Sequence, residues 1–169
     1  MPIILVGGGS RSGKSRHALT LAKQLGTRLG LLATAQAFDD EMRDRIGKHQ
    51  KERGAEFTTI EEPLDLIRVI QEQENALDVL VVDCLTLWLS NHMFSNDSVE
   101  EPECEPFLDA AAASSMQVIL VTNEVGCGIV PENALARRFR DLAGILNQQA
   151  AARAAAVYWM MFGVALKIK

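Results

Sequence analysis

The sequence has little of what marks extracellular, metal-stapled or nucleic-acid-binding chains. Its three cysteines, Cys84, Cys104 and Cys127, are isolated, odd in number and without the paired spacing of a zinc site. A disulfide framework or a cysteine-built metal centre is therefore not expected, and they read as buried small hydrophobes or bystanders. Basic residues do not prevail: 17 Lys and Arg face 22 Asp and Glu, a formal net charge of -5. That argues against a broad nucleic-acid-binding surface but leaves room for a local cationic pocket. The first apolar segment, Ile3–Val6, is too short for a membrane span or a signal-peptide core. The Ala-rich stretch Ala150–Ala156 carries Arg153 and reads as a helix end. A cytoplasmic protein without a membrane span is expected. No repeat of solenoid length and no Gly/Ser or Pro linker divides the chain, so residues 1–169 read as a single domain.

What is present is an ordinary globular balance, 48% hydrophobic and 23% charged, arranged as short apolar runs between longer helical stretches. Strands are expected at Pro2–Val6, Leu29–Thr34, Phe57–Ile60, Asp78–Asp83 and Gln117–Thr122. Two more are expected at Val157–Met161 and Val164–Ile168. Helices are expected at Lys14–Leu25, Asp39–Arg53, Pro63–Gln73, Thr86–Phe94 and Glu132–Ala152. Ser95–Pro106 is acidic, polar and Pro-containing and reads as a loop. Apolar strands alternating with helices predict an α/β fold, a mainly parallel sheet covered on both faces, with ligands at the carboxyl ends of the strands.

Gly8-Gly9-Ser10-Arg11-Ser12-Gly13-Lys14-Ser15 matches the phosphate-binding loop pattern G-x4-G-K-[ST]. It also sits between a predicted strand and a predicted helix, as its mechanism requires. The glycines let successive N–H groups face a triphosphate, and the following helix points its positive end at the same oxygens. Lys14 is expected to reach the β- and γ-phosphates, and Ser15 to offer a hydroxyl to Mg²⁺. Asp83 closes the apolar strand where phosphate-loop proteins carry the acid that helps hold Mg²⁺. In isolation the same residue reads equally as a carboxylate satisfied by backbone N–H groups.

Arg45, His49 and Arg53 recur at i, i+4 and i+8 on one face of the second predicted helix. Guanidinium groups on both sides disfavour imidazole protonation and offer a site for phosphate oxygens, so a neutral, nucleophilic imidazole is one reading. A solvated polar helix face is the other. His17 reads as structural or surface-exposed, and nothing nearby in sequence organises His92.

Taken together, these residues resemble the adenosylcobinamide kinase/adenosylcobinamide-phosphate guanylyltransferase family along nearly the whole chain. The resemblance rests on Gly8–Ser15 with Arg16-His17, on Ala33-Thr34-Ala35, and on Asp40-Glu41-Met42 with Arg45-Ile46. It continues through His49 with Arg53 and through Asp83-Cys84-Leu85-Thr86. Most specific are Thr122–Gly126, Gly128–Asn133 and the run Arg137–Asn147. The resemblance implies a P-loop fold and two reactions. In the first, ATP or GTP phosphorylates adenosylcobinamide. In the second, GMP passes from GTP to adenosylcobinamide phosphate through a GMP–histidine intermediate, giving adenosylcobinamide-GDP.

On that carry-over His49 is the nucleophile. Gln50, Lys51, Glu52 and Arg53 line the nucleotide site with Ala33, Thr34, Ala35, Glu61 and Asp83, and the assembly is a homotrimer with active sites between subunits. Arg45, Asn123 and Glu124 become possible substrate or phosphate contacts, and the Gly126–Asn133 loop shapes the corrinoid or nucleotide side of the cleft. Arg137, Arg138 and Arg140 either serve a neighbouring subunit's site or form a charged helix face. Two stretches depart from the family pattern: the acidic run Glu100–Glu105 and the apolar Met160–Gly163. Rival readings are a P-loop small-molecule kinase without the guanylyl step, and a GTP-binding switch protein.

Overall fold

The structure, a computed structural model, describes residues 3–36, 56–95 and 104–169. Seven strands form one sheet: β1 (Ile3–Gly8), β2 (Leu29–Ala33), β3 (Phe57–Glu61), β4 (Val79–Asp83), β5 (Gln117–Val121), β6 (Ala154–Met161) and β7 (Val164–Lys167). Their order is β3-β2-β4-β5-β1-β6-β7. The first six run parallel, and β7 returns antiparallel beside β6. Five helices are described: α1 (Lys14–Leu25), α2 (Leu66–Gln73), α3 (Leu85–Ser95), α4 (Cys104–Ala113) and α5 (Ala134–Arg153).

Strand alternation builds two cores. Leu32, Leu80, Val82, Val118 and Leu120 face one side, where α2, α3, α4 and α5 bury Val69, Trp88, Phe107 and Leu146. Leu31, Val79, Val81, Ile119 and Val121 face the other, against Ala18 and Ala22 of α1. Strands β2, β4 and β5 are therefore apolar on both faces, as a parallel sheet between helical layers requires. The expected α/β architecture is the one observed. Among the described residues, no helix is long and apolar enough to cross a membrane.

Several boundaries differ from expectation, three of them for a plain physical reason. The polar stretch read as a loop to Pro106 gives way to α4 at Cys104. Pro106 is tolerated in the first turn, where its missing N–H has no intrahelical partner, and Phe107, Leu108 and Ala111 anchor the helix in the core. Ala154 and Ala156, read as a helix end, instead pair with Ile3 and Ile4 of β1; strand pairing overrides alanine's helix preference. Finally, α5 begins at Ala134, because the Asn133 side chain accepts from Ala136 N and caps it. The helix expected at Asp39–Arg53 lies outside the described residues.

Candidate active site

The carboxyl edge of the sheet brings together residues far apart in sequence. One line of register runs from Glu61 on β3 through Ala33 on β2 and Asp83 on β4 to Val121 on β5 and Val6 on β1. The phosphate loop leaves β1 two residues beyond that line. Thus Glu61, Ala33, Asp83 and the loop lie along one edge, where an open parallel sheet places its ligands.

The loop's shape depends on its glycines. Gly8 has φ 146°, and a Cβ there would stand 2.6 Å from the Met160 carbonyl oxygen of β6. Gly13 is left-handed at φ 95° and opens α1 as its N-cap. Arg11, also left-handed at φ 55°, turns the exposed crown beside Ser10. Lys14 is buried and its Nζ donates to the Gly9 carbonyl at 2.6 Å, so its ammonium group lies within the curl. Among the described residues the buried Ser12 hydroxyl has no hydrogen-bond partner. A buried polar atom without a partner inside a Gly-rich curl is what an anion-binding loop would present. Ser15 lies in the first turn of α1, where free N–H groups and the helix dipole favour negative charge.

Asp83 is half-buried, and its carboxylate accepts no hydrogen bond from a described residue. The backbone around it is held firmly. The Thr34 hydroxyl donates to the Cys84 carbonyl and accepts from the Cys84 N–H, both at 2.8 Å. Thr34 N donates to the Asp83 carbonyl. Asn91 of α3 then donates to the carbonyls of Thr34, at 2.7 Å, and Pro63, at 3.0 Å. Thr34 has no exposed surface, so its hydroxyl serves the protein interior, while the half-buried Ala35 continues toward the surface. The neighbouring Cys84 thiol is pushed up to about 11, by burial first and by the Asp83 charge second, which leaves it inert at neutral pH.

A second polar network fixes the end of β5. Thr122 Oγ1 donates to Asn147 of α5 at 2.6 Å, Asn147 Nδ2 donates to the Asn123 carbonyl, and Asn123 N donates to the Thr86 hydroxyl at 2.8 Å. Glu124 N then donates to the Gly8 carbonyl at 3.0 Å, tying this strand end to the phosphate loop. The Glu124 carboxylate accepts from Gly126 N. Arg140 donates to the Gly126 carbonyl, and Arg137 to those of Pro131 and Glu132. Arg137 and Arg140 of α5 therefore hold the Gly126–Asn133 loop against the helix. A groove of about 620 Å³ opens between that loop and α5, lined by Val130, Arg137, Arg140, Asp141 and Ile145 among others.

Sequence reasoning missed Asn91, Asn147 and the Thr86 hydroxyl as a working group. For Thr86 and Asn91 the signal was a polar residue in a largely apolar helix, whereas Asn147 stands in a polar one and gave none. It also left His92 without an organising neighbour, whereas His92 packs edge-on to Trp88 at 4.9 Å and its Nε2 lies 3.3 Å from the Leu64 carbonyl oxygen. His17 lies edge-on to Tyr158 at 5.1 Å, and burial lowers its pKa. Arg45, His49, Gln50, Lys51, Glu52 and Arg53 lie outside the described residues.

Comparison with known proteins shows the family. Residues 4–168 match the family described as cobinamide kinase / cobinamide phosphate guanyltransferase. The bifunctional adenosylcobalamin biosynthesis protein CobP of Pseudomonas aeruginosa is 42% identical, over 98% of this chain and 96% of its own length. CobU of Escherichia coli K12, with the same bifunctional description, is 39% identical over 99% of both chains. Among solved structures, the RadB recombinase aligns with TM-score 0.54 at 16% identity, over 94% of this chain and 73% of its own. The flagellar accessory protein FlaH of Methanocaldococcus jannaschii aligns with TM-score 0.53 at 15% identity, over 99% and 78%. These two likenesses speak to the fold.

Proposed function

Because the chain belongs to the cobinamide kinase / cobinamide phosphate guanyltransferase family, we propose that its one phosphate loop serves two successive transfers within a single domain. In the first, the aminopropanol hydroxyl oxygen of adenosylcobinamide attacks the γ-phosphorus of ATP or GTP. The bond to the β-phosphate oxygen breaks, the nucleoside diphosphate leaves and the hydroxyl proton is released. In the second, a ring nitrogen of His49 attacks the α-phosphorus of GTP and pyrophosphate leaves. A phosphate oxygen of adenosylcobinamide phosphate then takes the GMP group, restoring the imidazole and giving adenosylcobinamide-GDP.

The observation that carries this reading is the curl of Gly8–Ser15 around the Lys14 ammonium, on the same edge as Asp83. Lys14 and the amides of Ser10, Arg11, Ser12 and Gly13 hold phosphate oxygens and oppose the charge that develops on the transferred group. The donor set suits Mg²⁺: the Ser15 hydroxyl and the Asp83 carboxylate are hard oxygen ligands that would hold it. When bound, the ion neutralises charge on the phosphates. Arg45 and Arg53 flank His49 and accept the phosphate charge, and Gln50, Lys51 and Glu52 line the nucleotide with Ala33, Thr34, Ala35 and Glu61. Asn123 and Glu124 contact phosphate or substrate, and the Gly126–Asn133 loop shapes the corrinoid side. The enzyme is a cytoplasmic homotrimer, a setting that suits free Cys84, Cys104 and Cys127.

Incubation with GTP labelled at the α-phosphate, followed by denaturation, tests the reading. An acid-labile, alkali-stable protein label is expected in wild type and absent in His49→Ala, which keeps part of its kinase activity. Folded wild type that binds GTP but takes no label would reduce the activity to the kinase step.

A further inference from the structure

At the end of β5 four residues close a ring of hydrogen bonds. Thr122 Oγ1 donates to Asn147 Oδ1, Asn147 Nδ2 donates to the Asn123 carbonyl at 3.4 Å, and Asn123 N donates to Thr86 Oγ1. The Thr86 and Thr122 hydroxyl oxygens are 3.4 Å apart. Since the Thr122 proton goes to Asn147, the Thr86 hydroxyl donates to Thr122 and completes the ring. Both threonines are buried, where a satisfied polar network fixes geometry. The ring engages both backbone groups of Asn123 and leaves its side chain out. That amide, on a half-buried residue, makes no hydrogen bond to a described residue. The Glu124 carboxylate, by contrast, is taken by Gly126 N.

Register places the Asn123 side chain beside the phosphate loop. Val6 of β1 pairs with Val121 of β5, and the ladder continues past the end of β5: Thr122 N donates to the Val6 carbonyl and Glu124 N to the Gly8 carbonyl, both at 3.0 Å. Asn123 is therefore level with Gly8, one strand spacing of about 4.8 Å away. Along β5, Ile119 and Val121 face the α1 side of the sheet and Leu120 the other. Thr122 keeps to the second side, where it meets Asn147 of α5 and where a Cβ on Gly7 would lie 3.7 Å from its Cγ2. Alternation then gives Asn123 the α1 side. The phosphate loop curls over that side, since a Cβ on Gly8 would lie 2.9 Å from Ser12 Oγ. Asp83, paired with Val121 and alternating with Val79 and Val81, faces it too. The Asn123 amide thus stands between the Asp83 carboxylate and the loop, on the strand between theirs.

We propose that Asn123 is a catalytic residue of the phosphorylation step, its side-chain NH₂ donating to the γ-phosphoryl group, and that Asn147 positions it. The inference rests on the nucleotide reading above. There Lys14 serves the β- and γ-phosphates from one side and Asp83 stands on the other, so a donor set between them meets the terminal phosphate. As the bond to the β-phosphate oxygen breaks and the bond to the acceptor oxygen forms, charge shifts over the γ-phosphoryl oxygens. A neutral donor fixed in advance opposes that charge without reorganising. The amide neither takes nor gives up a proton; the acceptor hydroxyl proton is released as before.

Asn123→Ala removes the amide and keeps the ring, which uses only the backbone of Asn123, so the thermal midpoint should stay near wild type. With adenosylcobinamide and ATP, kcat should fall about 100-fold while KM for ATP changes less than about three-fold. Affinity for ADP with aluminium fluoride, a mimic of the transferred group, should fall about ten-fold or more, and affinity for ADP alone less than about two-fold. Asn147→Leu opens the ring and should lower kcat about ten-fold at a temperature where the variant remains folded. The double variant Asn123→Ala/Asn147→Leu should be no more than about two-fold slower than Asn123→Ala alone, because the amide to be positioned is already gone. Unchanged kcat in Asn123→Ala, or a loss matched by lower ADP affinity or a lower thermal midpoint, would overturn the catalytic role. Losses that multiply in the double variant would overturn the positioning role of Asn147. Wild type that binds ATP but phosphorylates no adenosylcobinamide would instead remove the phosphorylation reading itself.

Discussion

Two aspartates stand at opposite ends of β4 and do opposite work. Asp78, just before the strand, accepts from Thr27 N and Oγ1, Arg28 N, and Arg28 Nε and Nη2. Its carboxyl is held well below the usual range, chiefly by the Arg28 backbone N–H and then by the Arg28 side chain and Thr27 N–H. Asp83, at the other end, has a backbone clamped by Thr34 and a carboxylate that accepts from no described residue. A carboxylate already saturated by its own chain is a latch. One whose backbone is fixed while its oxygens accept from no described residue fits the metal-holding role proposed for it. The two carboxylates differ in this way although only the strand β4 separates them.

The sharpest way to break it is Asp83→Asn. Loss of the carboxylate should lower turnover in both transfers by about 100-fold or more. The thermal midpoint should stay close to wild type, because the clamp uses only backbone groups of Asp83 and Cys84. Steady-state kinetics beside a calorimetric scan measure both. A large fall in midpoint with turnover intact would make Asp83 another latch.

How much of this was legible follows from how each feature is encoded. The phosphate loop is a contiguous eight-residue motif between a strand and a helix, so sequence located it and the structure gives it the expected curl. Asp83 was legible as an acid ending an apolar strand, though its backbone clamp was not. Thr34 lies 50 residues from Cys84 and 57 from Asn91, and no local pattern announces such a pairing. The same holds for Thr122 with Asn147, and for Gly163, whose N–H donates to the Ser12 carbonyl. The start of α4 was hidden by an acidic first turn and a proline, because composition outweighed the Phe107, Leu108 and Ala111 stripe. The turn joining β6 and β7 was noticed only as an apolar anomaly, since the positive φ of Phe162, 54°, contradicts its ordinary preference.

Thr34→Val probes the link between clamp and carboxylate. It keeps the side-chain shape but leaves the buried Cys84 N–H unpaired, while the Cys84 carbonyl still accepts from Trp88 N; an unpaired buried group costs about 1–3 kcal/mol. If the clamp also aims Asp83, turnover should fall by about ten-fold at a temperature where the variant remains folded. Thr34→Ser, which restores the hydroxyl, should recover most of both losses. A destabilised Thr34→Val enzyme with wild-type turnover would show that strand pairing alone positions Asp83.

The smallest catalytic effect is expected at the latch. Asp78→Asn should lower the thermal midpoint at neutral pH by several degrees while leaving turnover within about two-fold at low temperature. The pH dependence gives the sharper test. Because the folded carboxyl lies below its unfolded value of about 3.9, its stabilising effect is complete above that pH and is lost as pH falls through the lower, folded value. The gap in midpoint between wild type and Asp78→Asn should therefore be constant from neutral pH down to about pH 5 and narrow progressively below pH 4. A gap that stays constant into strong acid would mean that Asp78 acts by packing rather than by charge. If low-temperature turnover collapsed as far as in Asp83→Asn, the division of labour between the two ends of β4 would fall.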